Sequence, residues 1–180
     1  LGKVFFIPFG STSFYRPIVT ITNSIDAAVF GKLPTGYHLT NLLLHLVVAI
    51  VTPLFLSVFF KLNNNQKLLT SLIVGVHPTS TAIVGLTFQR GEPLMFIGLM
   101  LTLYFYSLAR VKGNLKYIFF TVLFFFLAVF SKETAIAVMP LLIILWEITR
   151  KEENKKNLIL LSFVLGFMAV LYIVLRLTVI

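Results

Sequence analysis

The sequence predicts an all-α fold: a polytopic transmembrane helical bundle of about six spans, with one further amphipathic helix lying in the outer interface. Three observations predict it. Of 180 residues, 58% are apolar and only 12% charged, with a mean hydropathy of +0.99, whereas a soluble domain carries roughly a quarter of its residues charged. With His taken as neutral, charge-free stretches run over 33–60, 68–89, 93–109, 117–131, 134–146 and 157–175, and about 20 apolar residues cross a 30 Å hydrocarbon core. The basic residues come in blocks, three from Arg110 to Lys116 and four from Arg150 to Lys156, as expected of loops kept on the cytoplasmic side. The net charge of +9 therefore reads as a topology signal and not as a nucleic-acid surface. With no cysteine in the chain, disulfides, thiolate metal sites and cysteine nucleophiles are all excluded. The chain starts at Leu1 with no charged segment before a short apolar core, so it reads as an excerpt of something longer without a signal peptide.

In chain order, Ile18, Ile21, Ile25, Ala28 and Val29 recur at helical spacing after Pro17, a favoured first-turn residue. This segment, 17–30, is too short to span and reads as the interfacial helix, ended by Gly31 and the Pro34-Thr35-Gly36 turn. Spans follow at about 37–61, 68–88, 92–110, 115–131, 133–149 and 157–178. Stretch 93–109 reaches spanning length if Arg110 snorkels to the interface. Residues 115–148 fit either two short crossings joined at Ser131-Lys132-Glu133 or one long helix with an ion pair inside it. Two crossings place both basic blocks on the same side, so two are expected. Loops 61–67, 110–116 and 147–156 then lie inside, and 1–36, 89–92, 131–133 and the C-terminus outside, all within one membrane domain with no internal repeat.

Polar residues inside spans are costly unless they face a partner, a cavity or water. His38, Asn41 and His45 share one face of the first span, with Thr52 two turns further on. That face either packs against another helix or lines a polar cavity open to the outside. No third ligand stands at metal spacing, so no metal is expected. His77-Pro78 interrupts the second span before Thr79, Ser80 and Thr81. It is either a kink satisfied by the hydroxyls or a broken helix at a site, since irregular backbone at membrane depth needs protein or a cavity beside it. Gln89-Arg90-Gly91-Glu92-Pro93 forms an outer turn with Glu92 at a helix start, where a carboxylate suits the dipole. Ser131-Lys132-Glu133 puts a cation between two short apolar stretches. There Lys132 either anchors the turn by snorkelling or meets a lipid phosphate as a point charge. Tyr15-Arg16-Pro17 supplies a second outer cation, and Asp26 falls within the interfacial helix.

The run Tyr15-Arg16-Pro17, Asp26, Phe30-Gly31, Pro34 and Gly36-Tyr37-His38-Leu39-Thr40-Asn41-Leu42-Leu43-Leu44-His45 resembles one family. His77-Pro78 with Thr81-Ala82, Arg90 with Glu92, and Ser131-Lys132-Glu133-Thr134-Ala135 follow in the same order. The family is that of the membrane O-mannosyltransferases with tetratricopeptide repeats after a transmembrane domain (TMTC-type proteins). It stands with the protein O-mannosyltransferases and aminoarabinose transferases of the GT-C fold, and the resemblance covers nearly the whole chain.

The resemblance implies transfer of a mannose-like sugar from a polyprenyl- or dolichyl-phosphate carrier to an acceptor, a protein among the candidates, on the extracytoplasmic side. No further cofactor is implied, and the setting would be a prokaryotic plasma membrane or the endoplasmic reticulum. In that fold an acidic pair in the first outer loop, after a first transmembrane helix, acts as general base toward the acceptor. Both are expected upstream of Leu1, and the repeats after the C-terminus. Asp26 and Glu92 are the candidate carboxylates within the chain, Glu92 standing where relatives often have Asp. Lys132, Arg16 and Arg90 are the candidate contacts to the lipid phosphate, and Tyr15, His38, Asn41, His45, His77 and Glu133 the candidate cavity residues. A polytopic transporter, whose broken helices mark substrate pathways, and a non-catalytic membrane subunit are the competing readings.

Overall fold

A computed structural model of the chain describes residues 14–78, 85, 87–150 and 156–179. Seven α-helices run through them: α1 (Pro17–Phe30), α2 (Pro34–Leu56), α3 (Asn64–Val76), α4 (Gly91–Lys112), α5 (Leu115–Ser131), α6 (Ala135–Arg150) and α7 (Lys156–Val179), with a short 3-10 turn, Thr87–Arg90, before α4. No strand occurs among the described residues. The protein is an all-α membrane bundle. By length and composition α2, α4 and α7 are able to cross a membrane, while α5 is apolar but shorter.

Local chemistry sets the helix ends. Pro17 and Pro34 stand in the first turns of α1 and α2. Asn63 and Gln66 form a reciprocal capping box at the start of α3. Asn114 caps α5 through Lys116 N. Gly113, at φ 66°, closes α4 in the left-handed conformation that a side chain disfavours. At Ser131-Lys132-Glu133 the chain breaks helix, with Lys132 extended between α5 and α6, so the apolar run is two helices and not one. The second expected span, 68–88, differs: its helix starts at Asn64 and stops at Val76, with His77 extended. The proline ring of Pro78 disfavours the α region for the residue before it. Thr79, Ser80 and Thr81 lie outside the described residues.

Helices α4, α5, α6 and α7 run alternately up and down around a core that includes Leu99, Leu103, Tyr106, Phe125, Phe130, Met139, Trp146 and Tyr172. Among the described residues the α4–α5 pair is the most extensive helix contact. A Cβ on Gly98 would lie 2.8 Å from Ala128 N, so the two backbones approach as closely as small residues allow. Helix α2 packs on α4 and α3 packs on α2, and the outward faces of α2 and α3 carry exposed Leu42, Leu43, Leu46, Ile50, Leu69 and Leu72, as a lipid-facing surface should. The short α1 lies across the start of the bundle and touches both α2 and α5. One end of the bundle therefore gathers the start of α1, the α4 N-terminus and the α5–α6 turn. The other gathers the C-termini of α2, α4 and α6.

Candidate functional site

Three ion pairs stand at the α5–α6 turn end. Arg16, just before α1, donates from Nε and Nη2 to the two carboxylate oxygens of Glu133 at 3.1 and 2.9 Å, a bidentate fork. Its guanidinium also covers the Phe14 ring, 4.4 Å from the centroid. Lys132 Nζ pairs with Glu92 at the start of α4. Arg90 Nη2 lies 2.5 Å from Asp26 Oδ2. Burial pushes the Glu133 carboxyl up, but the hydrogen bonds and charge of Arg16 outweigh it and hold the group below the usual carboxylate range. Burial alone raises the Tyr15 phenol.

The Lys132–Glu92 pair and Arg16 of the Arg16–Glu133 pair border a pocket, and the Arg90–Asp26 pair does not. Among the described residues Arg16, Gln89, Gly91, Glu92 and Lys132 form the wall of a pocket of about 180 Å³. Its carboxylate and ammonium side chains are part-exposed, Lys132 at 20% and Glu92 at 32%. Gly91 matters to the shape, since a Cβ there would lie 3.1 Å from Ser131 O and 3.5 Å from the Val19 side chain. The absent side chain lets the α4 start, the α5 end and α1 meet at one point. Arg90 is instead wholly buried, donating to Asn41 Oδ1 at 2.9 Å and to Tyr37 O at 3.2 Å. Asp26 faces inward with it and accepts from Thr40 Oγ1 at 2.8 Å.

The remaining sequence-derived candidates divide by depth. Tyr15 is buried, its ring 6.1 Å from that of Phe130 and 5.6 Å from that of Tyr172, and its carbonyl accepts from Tyr172 Oη at 2.9 Å. His45 Nε2 meets Gly75 O at 3.1 Å across the α2–α3 contact, and Asn41 is bound to Arg90. The face of α2 that bears them is therefore engaged with neighbouring helices at both places. His38 is half-buried on the same helix, and exposed His77 ends α3. No group of three or more metal-ligating side chains occurs among the described residues.

A second charged cluster at the opposite end escaped the sequence reading. Arg110 donates from Nε and Nη2 to Glu147 at 2.7 and 2.9 Å, and Tyr106 Oη donates to the same carboxylate at 2.6 Å. Arg150 Nε and Nη2 both donate to Val58 O at 3.0 and 2.6 Å, and Asn157 Nδ2 donates to Ala109 O at 2.9 Å. The available signal was that Arg110 and Glu147 directly end the apolar stretches 93–109 and 134–146, where a charge at the edge of a span gains from a partner. An apolar groove of about 310 Å³ also runs between α5, α6 and α7, lined by Phe125, Ile136, Met139, Pro140, Ile143, Leu165 and their neighbours. Its upper residue, Ile136, donates its amide to Glu133 O, so the groove begins within a turn of the pocket.

Residues 17–175 match the model of a family described as dolichyl-phosphate-mannose-protein mannosyltransferase. The chain belongs to this mannosyltransferase family. Among curated members it is 31% identical over 99 residues to human protein O-mannosyl-transferase TMTC3, covering 55% of this chain and 10% of that protein. It is 25% identical to human TMTC1 over 155 residues, 79% of this chain and 18% of the relative. The Caenorhabditis elegans protein O-mannosyl-transferase F38B6.6 is 26% identical over 165 residues, 86% of this chain and 22% of its own length. The chain thus spans a tenth to about a fifth of the length of these mannosyltransferase relatives. No solved structure matches it.

Proposed function

We propose that this chain forms part of a multi-pass protein O-mannosyltransferase that moves a mannose-like sugar from a dolichyl- or polyprenyl-phosphate carrier to a protein hydroxyl on the extracytoplasmic face. The observation that carries the reading is the pocket wall: Arg16 and Lys132 present two cations to one 180 Å³ space, each held by a carboxylate. A phosphate oxygen competes with Glu92 and Glu133 for those cations and makes the same charge-assisted contacts. The apolar groove beginning beside Glu133 offers an isoprenoid chain a surface next to its own headgroup.

In this reading the acceptor oxygen attacks the anomeric carbon, the bond from that carbon to the phosphate oxygen breaks, and its electron pair leaves with the lipid phosphate. Lys132 and Arg16 stabilise the charge that develops there. The acceptor proton goes to a general base. The family resemblance puts that base upstream of this chain. Within the chain Glu92 is the carboxylate on the pocket wall, released from Lys132 when phosphate takes its place. Asp26, turned inward to Arg90, does not face the pocket. Arg90 does not either, which narrows the phosphate contacts to two cations.

The test replaces Lys132 by Ala in the full-length protein and measures transfer from mannosyl-phosphoryl dolichol. Loss of one charged contact predicts a fall in kcat/KM of about tenfold or more. Unchanged transfer with unchanged donor affinity removes Lys132 from the site and the reading with it.

A further inference from the structure

We propose that the buried Asp26–Arg90 pair is a positioning device that clamps helix α1 onto α2 and α4, and so delivers Arg16 to its place beside Lys132. The part concerning donor binding rests on the function proposed above. The clamp itself rests on geometry alone.

A single guanidinium joins three elements. Arg90 precedes α4, and it reaches Asp26 on α1 together with Tyr37 O and Asn41 Oδ1 on α2. The second Asp26 oxygen is held by Thr40 of α2. Arg90 is wholly buried and Asp26 nearly so, and buried charges persist only when paired. Removing either partner would leave an isolated charge that water must enter to solvate, and α1 is the element free to move. With 14 residues it is too short to hold its helix or its place unaided. Its outward side is exposed at Ile25, Ala27, Ala28 and Val29.

Asp26 follows Arg16 by ten residues, about 15 Å along a helix. Helix α1 is thereby pinned at two separated points, by Glu133 at its start and by Arg90 in its third turn, with Val19 against Gly91 between them. Two pins fix direction as well as position. Lys132 needs no such device, because it stands on the α5–α6 turn itself. Of the two pocket cations, only Arg16 is placed by a separate element, and only Arg16 depends on the clamp.

The experiment uses the full-length protein in lipid nanodiscs, with D26N, R16A and the D26N/R16A double variant. Two quantities are read: affinity for dolichyl phosphate, and the yield of thiol crosslinking between R16C and E133C with a bifunctional maleimide, cysteines outside this cysteine-free chain having been replaced. Expected are a crosslink yield lowered several-fold by D26N, and a dolichyl phosphate Kd raised by D26N about as much as by R16A, near tenfold. The double variant should then be no worse than R16A alone. Effects that multiply in the double variant, or a crosslink yield that D26N leaves intact, overturn the clamp. A lowered crosslink yield with wild-type donor affinity in R16A supports the clamp and overturns the donor site instead. T40V, which removes the Thr40 bond to Asp26 together with a longer one to Gly36 O within α2, gives the same two readings in milder form should D26N not fold.

Discussion

The two ends of the bundle hold charged clusters of similar composition and different construction. At one end Arg110, Tyr106 and Glu147 join α4 to α6, and the guanidinium uses two aligned donors on a single carboxylate. The Arg110 side chain is fully enclosed, with the Trp146 ring 6.0 Å away. At the other end three ion pairs bring together α1, the α4 start and the α5–α6 turn; two of them remain part-exposed, with Arg16, Lys132 and Glu92 on a pocket wall. The difference teaches how to separate charge that holds a fold from charge that waits for a ligand. Where the cation is fully enclosed, as the Arg110 side chain is, an incoming anion has no access to it. Where the cation borders open volume, as Arg16 and Lys132 do, an anion can take the place of the carboxylate at lower cost.

Breaking the enclosed cluster should have the largest effect. Replacing Arg110 by Met leaves Glu147, whose side chain is 20% exposed, without its cation and should cost about 1–3 kcal/mol, read as a lowered thermal midpoint in nanodiscs. Adding Glu147→Leu should return much of that loss, since an apolar pair of similar volume is tolerated where a lone charge is not. Transfer activity per folded molecule should stay close to that of the parent, because neither side chain borders the pocket.

An effect no larger is expected of Gly98→Ala, which puts a methyl against the Ala128 backbone at 2.8 Å and should cost about 1–3 kcal/mol. It strains the α4–α5 contact that both clusters share, so unfolding should be the reporter and donor affinity should change little. The smallest is Glu133→Gln, below about 1 kcal/mol at neutral pH, because a part-exposed pair contributes little. Its sign with pH sharpens the comparison. Arg16 holds the Glu133 carboxyl below its ordinary value of 4.5. The bridge therefore contributes fully above that value and is lost as pH falls through the lowered one. The difference in thermal midpoint between the parent and Glu133→Gln should shrink as pH falls below the ordinary value of 4.5 and through the lowered one; a difference that does not change on acidification would mean the bridge contributes nothing.

Much of the architecture was legible in the residue order. The apolar stretches located α2, α4, α5, α6 and α7 to within a few residues. The helical spacing of Ile18, Ile21 and Ile25 marked α1, and the charges at Ser131-Lys132-Glu133 marked the turn between two short helices. The element left open was α3. Its apolar pattern continues through residue 88, and the sequence allowed either a kink or a break at His77-Pro78; the helix ends at Val76 with His77 extended, which is the break. Pro53 and Pro140 stand inside helices, so proline alone does not decide between the two.

Composition and hydropathy by themselves determined that this is an all-α membrane protein, and the order of the Tyr-Arg-Pro, Gly-Tyr-His and Ser-Lys-Glu motifs pointed to its family. Both follow from local properties, since each residue's solvent preference and each motif is written along the chain. Only the tertiary structure decided what each charge does. Arg16, Arg90 and Lys132 look alike in sequence, three cations at the same end of the bundle. Folding brings Asp26 to one of them from 64 residues away and seals it from water, while the other two stay on a pocket wall. Pairing across such separations depends on how helices cross, and burial then sets the value of the pair, because a charge that water cannot reach is committed to its partner.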